Sequence, residues 1–140
     1  MQPYFLMLQA DADDRFITEE TMAAASLDVS LKFLNAFDEL SSFIAIHGMP
    51  CLFLVNEQNG KYSALEILKA LKQNPDHALV PSVVLSEKMM SDYIQNCYAA
   101  EAASVIVKPS SLQQTHQKIH CFFQYWLQVA ELNLQTNAIV

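Results

Sequence analysis

Glycine is almost missing: the 140 residues contain two, Gly48 and Gly60. A dinucleotide fingerprint or a P-loop needs several glycines, because its backbone must approach phosphates closely, so both function classes drop out. Basic residues are also few, 8 Lys and Arg against 15 Asp and Glu, for a net charge of −7. Such a chain is poorly suited to a nucleic-acid backbone or an anionic membrane surface. No apolar run approaches the roughly 20 residues of a membrane span. The opening MQPYFLML has no basic stretch ahead of its apolar residues, so a secretory leader is not expected either. The three cysteines, Cys51, Cys97 and Cys121, are an odd number, widely spaced and without a CxxC pair. Reduced, mostly buried thiols in a cytoplasmic protein are the expectation.

Apolar residues make up 52% of the chain and charged residues 16%, a globular composition. The length suits one domain over 1–140, with a core at about 4–130 and a short tail, 131–140. Four runs, YFLML (4–8), LFLV (52–55), VPSVVL (80–85) and ASVIV (103–107), are apolar at consecutive positions. Strands read this way when helices cover both faces of their sheet. LDVSLKFL (27–34) alternates more, as an edge strand does.

Helical stripes lie between these runs. Phe37, Leu40 and Ile44 form one. Ala64, Ile67, Leu68 and Leu71 form another, and Met90, Tyr93, Ile94 and Cys97 a third. Ile119, Phe122, Phe123, Trp126 and Ala130 mark the last helix. The first helix, roughly 12–25, has only a weak stripe. Asp11 precedes Asp14 by three residues, Asn35 precedes Asp38 and Ser111 precedes Gln114, each pair resembling an N-cap with its partner. Asn74-Pro75 predicts a helix stop. The order is β-α five times, which demands a parallel sheet with right-handed crossovers.

Sites in an open α/β sheet form at the carboxyl ends of the strands. Here those ends are Gln9-Ala10-Asp11, Asn56, Ser86 and Lys108-Pro109, four ends expected to converge. His116 and His120, with Cys121 beside them, have a spacing that can hold zinc. No HExxH accompanies them, so a partly exposed helix face is the simpler expectation. Asn59-Gly60 is a turn signal.

DADDR (11–15), PCLFLVN (50–56), ALEILKALKQNP (64–75), PSVVLS (81–86), VKPSS (107–111) and YWLQVAELN (125–133) together resemble a response-regulator receiver domain of the stand-alone, CheY-like kind, over about residues 4–130. The resemblance implies a flavodoxin-like α/β fold, a doubly wound five-stranded parallel sheet of order 2-1-3-4-5. It also implies a place in two-component phosphorelay signalling. In that family a strand-3 aspartate accepts a phosphoryl group, and two acids after strand 1 help hold Mg²⁺. A Ser or Thr and a Lys contact the phosphoryl oxygens. Ser86 and Lys108 match. The phosphoacceptor position holds Asn56, the acidic pair falls on Gln9 and Ala10 with Asp11 adjacent, and the aromatic switch position holds Val105.

A carboxamide oxygen is neutral and forms no stable acyl phosphate, whereas phosphoryl transfer needs an anionic nucleophile and a cation. Mg²⁺ favours carboxylate ligands, and Asp11 is the one obvious acid left near the pocket. The expectation is therefore a pseudo-receiver without aspartyl phosphorylation, with Mg²⁺ binding weak or lost, no other metal or cofactor, and no enzymatic activity. Glu57 is a weak substitute acid, since neighbouring strand side chains point to opposite faces. Lys108 could pair with Asp11, meet Asn56 and Ser86, turn to solvent or attract an anion. The domain is expected to act by protein contact through its helix 4–strand 5–helix 5 face, with Tyr93, Tyr98 and His116. Its partner would be a histidine kinase, another regulator or a second copy. Two alternatives stand beside this: a working phosphoacceptor at Asp11 or Glu57, and an anion or small-ligand sensor on the same fold.

Overall fold

The computed structural model describes residues 2–8, 11–25, 29–57, 61–87 and 90–133. Five strands, β1 (Tyr4–Leu8), β2 (Ser30–Leu34), β3 (Leu52–Asn56), β4 (Ser82–Ser86) and β5 (Ser104–Val107), alternate with α1 (Ala12–Ala25), α2 (Leu40–His47), α3 (Ala64–Gln73), α4 (Ser91–Ala99) and α5 (Leu112–Gln124). A π-helical turn, Tyr125–Val129, continues α5. The strands form one sheet of order β2-β1-β3-β4-β5, parallel throughout. This is the α/β arrangement expected from the sequence.

The three central strands are buried along their whole length. Successive side chains in each enter opposite cores. Leu6, Leu8, Phe53, Val55 and Val84 pack against α2, α3 and α4. Phe5, Met7, Leu52, Leu54, Val83 and Leu85 pack with Met22, Phe122 and Phe123 of α1 and α5. β2 and β5 are the edges and are only half-buried. The alternation in 27–34 foretold the first edge, although residues 27 and 28 lie outside the described residues. The unbroken apolar run of β5 gave no such sign.

The stripe on α3 is buried throughout: Ala64, Ile67, Leu68 and Leu71. Its start is a capping box between Ser63 and Glu66, and Asn74 is its C-cap. In α4 only Cys97 of the expected stripe is fully buried, and Met90 is exposed ahead of the helix. The inner face of α1 is mostly polar: its buried residues are Asp14, Thr18 and Thr21, with Met22 the apolar one. Its two threonine hydroxyls donate to the carbonyls of Asp14 and Ile17, four residues back. A face that satisfies its own hydroxyls can be buried without apolar letters, which is why α1 has a weak stripe.

Asp11 and Ser111 cap their helices as expected, accepting from the amides of Asp14 and Gln114. The expected Asn35 cap is not formed. A 3-10 turn begins instead at Phe37, after Ala36, with no side-chain cap. Asp38 accepts from the hydroxyl of Tyr62 across the α2–α3 groove.

Candidate functional site

Three side chains meet at the carboxyl edge, on the α1–α5 side of the sheet. Asn56 ends β3 and is 2% exposed. Its Nδ2 donates to Asp14 Oδ2 at 2.8 Å, and Lys108 Nζ donates to Asp14 Oδ1 at 2.7 Å. Asp14 thus receives one charged and one neutral donor, on separate oxygens. It is itself buried, in the first turn of α1, where the helix dipole favours a negative charge. Burial pulls the Lys108 ammonium down. The Asp14 hydrogen bond and charge, with Glu87 and Asp11 behind them, outweigh that and hold it above the ordinary lysine value.

The acid that Lys108 meets is therefore Asp14 and not Asp11. The Asp11 carboxylate caps α1, where its Oδ1 accepts from the Asp14 amide at 2.8 Å. That capping role turns residue 11 to the helix end and residue 14 to the sheet. The signal for Asp14 lay in the cap pattern itself, since the third residue after an N-cap sits on the first helical turn. Gln9 and Ala10 lie outside the described residues.

Ser86 ends β4 fully buried. It follows Val84 on the other face of the sheet, toward α3 and α4. Its hydroxyl donates to Glu57 Oε1 at 2.8 Å, and the Glu87 amide donates to the same oxygen at 3.0 Å. The expectation that Asn56 and Glu57 face opposite sides holds. Asn56 reaches α1, whereas the Glu57 charge acts on Tyr93 and Cys97 of α4. Asn56 and Lys108 thus meet Asp14 on one face of the sheet, and Ser86 meets Glu57 on the other.

Val105 is half-buried against the α2–α4 core. Its amide donates to the Tyr98 hydroxyl at 3.2 Å, and the Val107 carbonyl accepts from Lys118 Nζ at 2.6 Å. Side chains of α4 and α5 thereby cover the free edge of β5. Tyr98 belongs to the expected interaction face and is 49% exposed. His116 does not belong to it: its Nδ1 lies 3.4 Å from the Thr21 hydroxyl, so it faces α1. Beside the Asp14 group an open cleft of about 730 Å³ runs between α1 and the β5–α5 loop, lined in part by Phe16, Leu112 and His116.

All three cysteines are free, and two of them, Cys51 and Cys97, are buried, in line with the expectation of mostly buried thiols; Cys121 is exposed. Burial pushes the Cys51 thiol up to about 11. Among the described residues no three His, Cys, Asp or Glu come together to hold a metal, and no helix is long and apolar enough to cross a membrane.

No family model matches the chain. It is 25% identical over 138 residues to the response regulator Rcp1 of Synechocystis, covering 93% of each sequence. Among solved structures it is similar to the Mn²⁺-bound form of Rcp1, with a TM-score of 0.84 at 22% identity, over 94% of this chain and 99% of the other. The phosphorylated cyanobacterial phytochrome response regulator RcpA gives 0.85 at 22% identity, with the same coverage. A response-regulator receiver domain from Rhodospirillum rubrum gives 0.82 at 18% identity, over 94% and 97%. The chain thus has the CheY-like receiver fold, five parallel strands in the order 2-1-3-4-5, and in sequence it is similar to a response regulator.

Proposed function

We propose that this receiver domain serves two-component signalling without accepting a phosphoryl group at Asn56, and passes its signal by protein contact. One observation carries the reading. At the end of β3 an amide stands where the resemblance places the nucleophile, and its Nδ2 donates to Asp14, whose other oxygen holds Lys108. A neutral amide bound in this way offers no anionic oxygen for attack at phosphorus.

The donor set does not fit Mg²⁺ well. Both oxygens of the buried Asp14 carboxylate already accept hydrogen bonds, and the Lys108 ammonium lies where a second cation would be repelled. Magnesium prefers one or two carboxylates with room for its own waters. Rcp1 has been seen with Mn²⁺ and RcpA phosphorylated; on the reading proposed here, this chain shares their fold without that chemistry. Asp11 and Glu57 are weaker acceptors, since each carboxylate is engaged by backbone amides. We assign the domain no catalytic activity of its own. Its contact surface is read as α4, β5 and α5 around Tyr93 and Tyr98, and its partner as a kinase, another regulator or a second copy.

Intact mass after incubation with Mg²⁺ and a small phosphodonor tests this, with Asn56→Asp alongside. The expected result is no phosphoryl adduct on the wild type and one on the variant. An adduct on the wild type overturns the reading, and peptide mapping would then begin at Asp11 and Glu57.

A further inference from the structure

The polar pair on the α3–α4 face has a geometry of its own. A buried hydroxyl, Ser86 Oγ, and the next main-chain amide, Glu87 N, both point at one oxygen. Two donors from consecutive residues at a strand end make a small anion cradle. The chain fills it from the neighbouring strand. The Glu57 amide donates to the Leu85 carbonyl at 2.9 Å, which carries the β3–β4 ladder one residue past β3 and anchors the stem of the side chain. The Glu57 carboxylate then reaches across the end of β4. An ionised acceptor in such a place forms stronger hydrogen bonds than a neutral one.

We propose that Glu57 is a built-in anionic ligand for Ser86 and Glu87, holding the end of β4 in its anion-bound arrangement without a phosphoryl group, so that a free tetrahedral oxyanion enters only when Glu57 is withdrawn. The proposal rests on the reading above, that the domain signals without aspartyl phosphate. Glu57 gives that reading a mechanism. The negative charge that the resemblance assigns to a phosphoryl group at Ser86 is supplied continuously by the chain itself. It also accounts for an acid at the sheet edge whose charge acts on Tyr93 and Cys97 of α4.

The experiment follows the backbone amide of Glu87 by NMR during titration with inorganic phosphate, with neither Mg²⁺ nor phosphodonor present. Wild type, Glu57→Ala, Glu57→Gln and the double variant Glu57→Ala/Ser86→Ala are compared. The wild-type resonance is expected to stay in place. In Glu57→Ala it moves saturably, with apparent affinity at least roughly tenfold above wild type, and the double variant loses that response. Equal responses in wild type and Glu57→Ala, or none in Glu57→Ala, overturn the proposal. Should Glu57→Ala not fold, Glu57→Gln decides: its Glu87 resonance must shift from the wild-type position before any phosphate is added, and an unchanged resonance overturns the proposal. No phosphodonor is used, so these outcomes are separate from the mass experiment on Asn56.

Discussion

At the scale of single residues, Asn56 and Asp14 are held together by a donor that a carboxylate would lack. Asn56→Asp replaces Nδ2 with an oxygen facing Asp14 Oδ2, setting two carboxylates around one ammonium. Like charges this close disfavour each other's ionised form. The variant should lose about 1–3 kcal/mol of stability and recover part of it in Mg²⁺, because a ligand bound only by the native state raises the melting temperature. Thermal melts with and without Mg²⁺ check this, and the wild type should be indifferent to the ion. Asp14→Asn should be costlier, about 3 kcal/mol or more, because it strands the Lys108 charge. Chemical denaturation measures that loss. Thiol reactivity is a third residue-scale test. Cys51 and Cys97 are buried with their thiols pushed upward, and Cys121 is exposed. Native alkylation should therefore add one adduct, at Cys121, and unfolding should release the other two sites.

At the scale of elements, the end of α4 carries a conformational cost. Glu101 has φ 71, in the left-handed region. The Ala102 amide bonds the Cys97 carbonyl and the Glu101 amide bonds the Tyr98 carbonyl, a Schellman ending in which glycine is the usual residue. Glu101→Gly should stabilise the protein by about 1 kcal/mol by relieving the Cβ clash, read as a rise in denaturation midpoint with an unchanged slope. The Tyr98 hydroxyl covers the Val105 amide on the outer edge of β5. Tyr98→Phe should speed hydrogen exchange at that one amide and leave the β4-facing amides of β5 protected. How much of an element was legible depended on who satisfies its polar groups. The stripe of α3 is apolar and could be read directly. The inner face of α1 is built of threonines that bond their own helix, and it could not. β5 reads as an interior strand because its exposed edge is covered by Tyr98 and Lys118, which lie in other elements.

At the scale of the whole molecule, Lys108 links the loop after β5 to α1, and through Asp14 to β3. Its folded-state value is raised, so its contribution to stability is fully present below the ordinary lysine value of 10.5 and is lost as pH rises through the higher folded value. The stability difference between wild type and Lys108→Met should be flat through neutral pH and shrink above that point. Urea denaturation at a series of alkaline pH values measures it. A difference that shrank toward acid instead would mean that another group carries the link.

Taken alone, the sequence determined the order of elements, the parallel sheet and the edge on which its polar residues gather. Apolar periodicity, cap residues and strand ends are local signals, and the chirality of crossovers leaves few ways to connect them. It also determined that position 56 is an amide, and that Asn56 and Glu57 face opposite sides, since alternation along a strand is a local rule. Only the tertiary structure decided who meets whom across that edge: Asp14 rather than Asp11 for Lys108, Thr21 for His116, and Glu57 for Ser86. Those pairs span between 29 and 95 residues of chain. The reach of a long side chain, and the turn of a helix about its cap, are set by packing against elements that no local pattern contains.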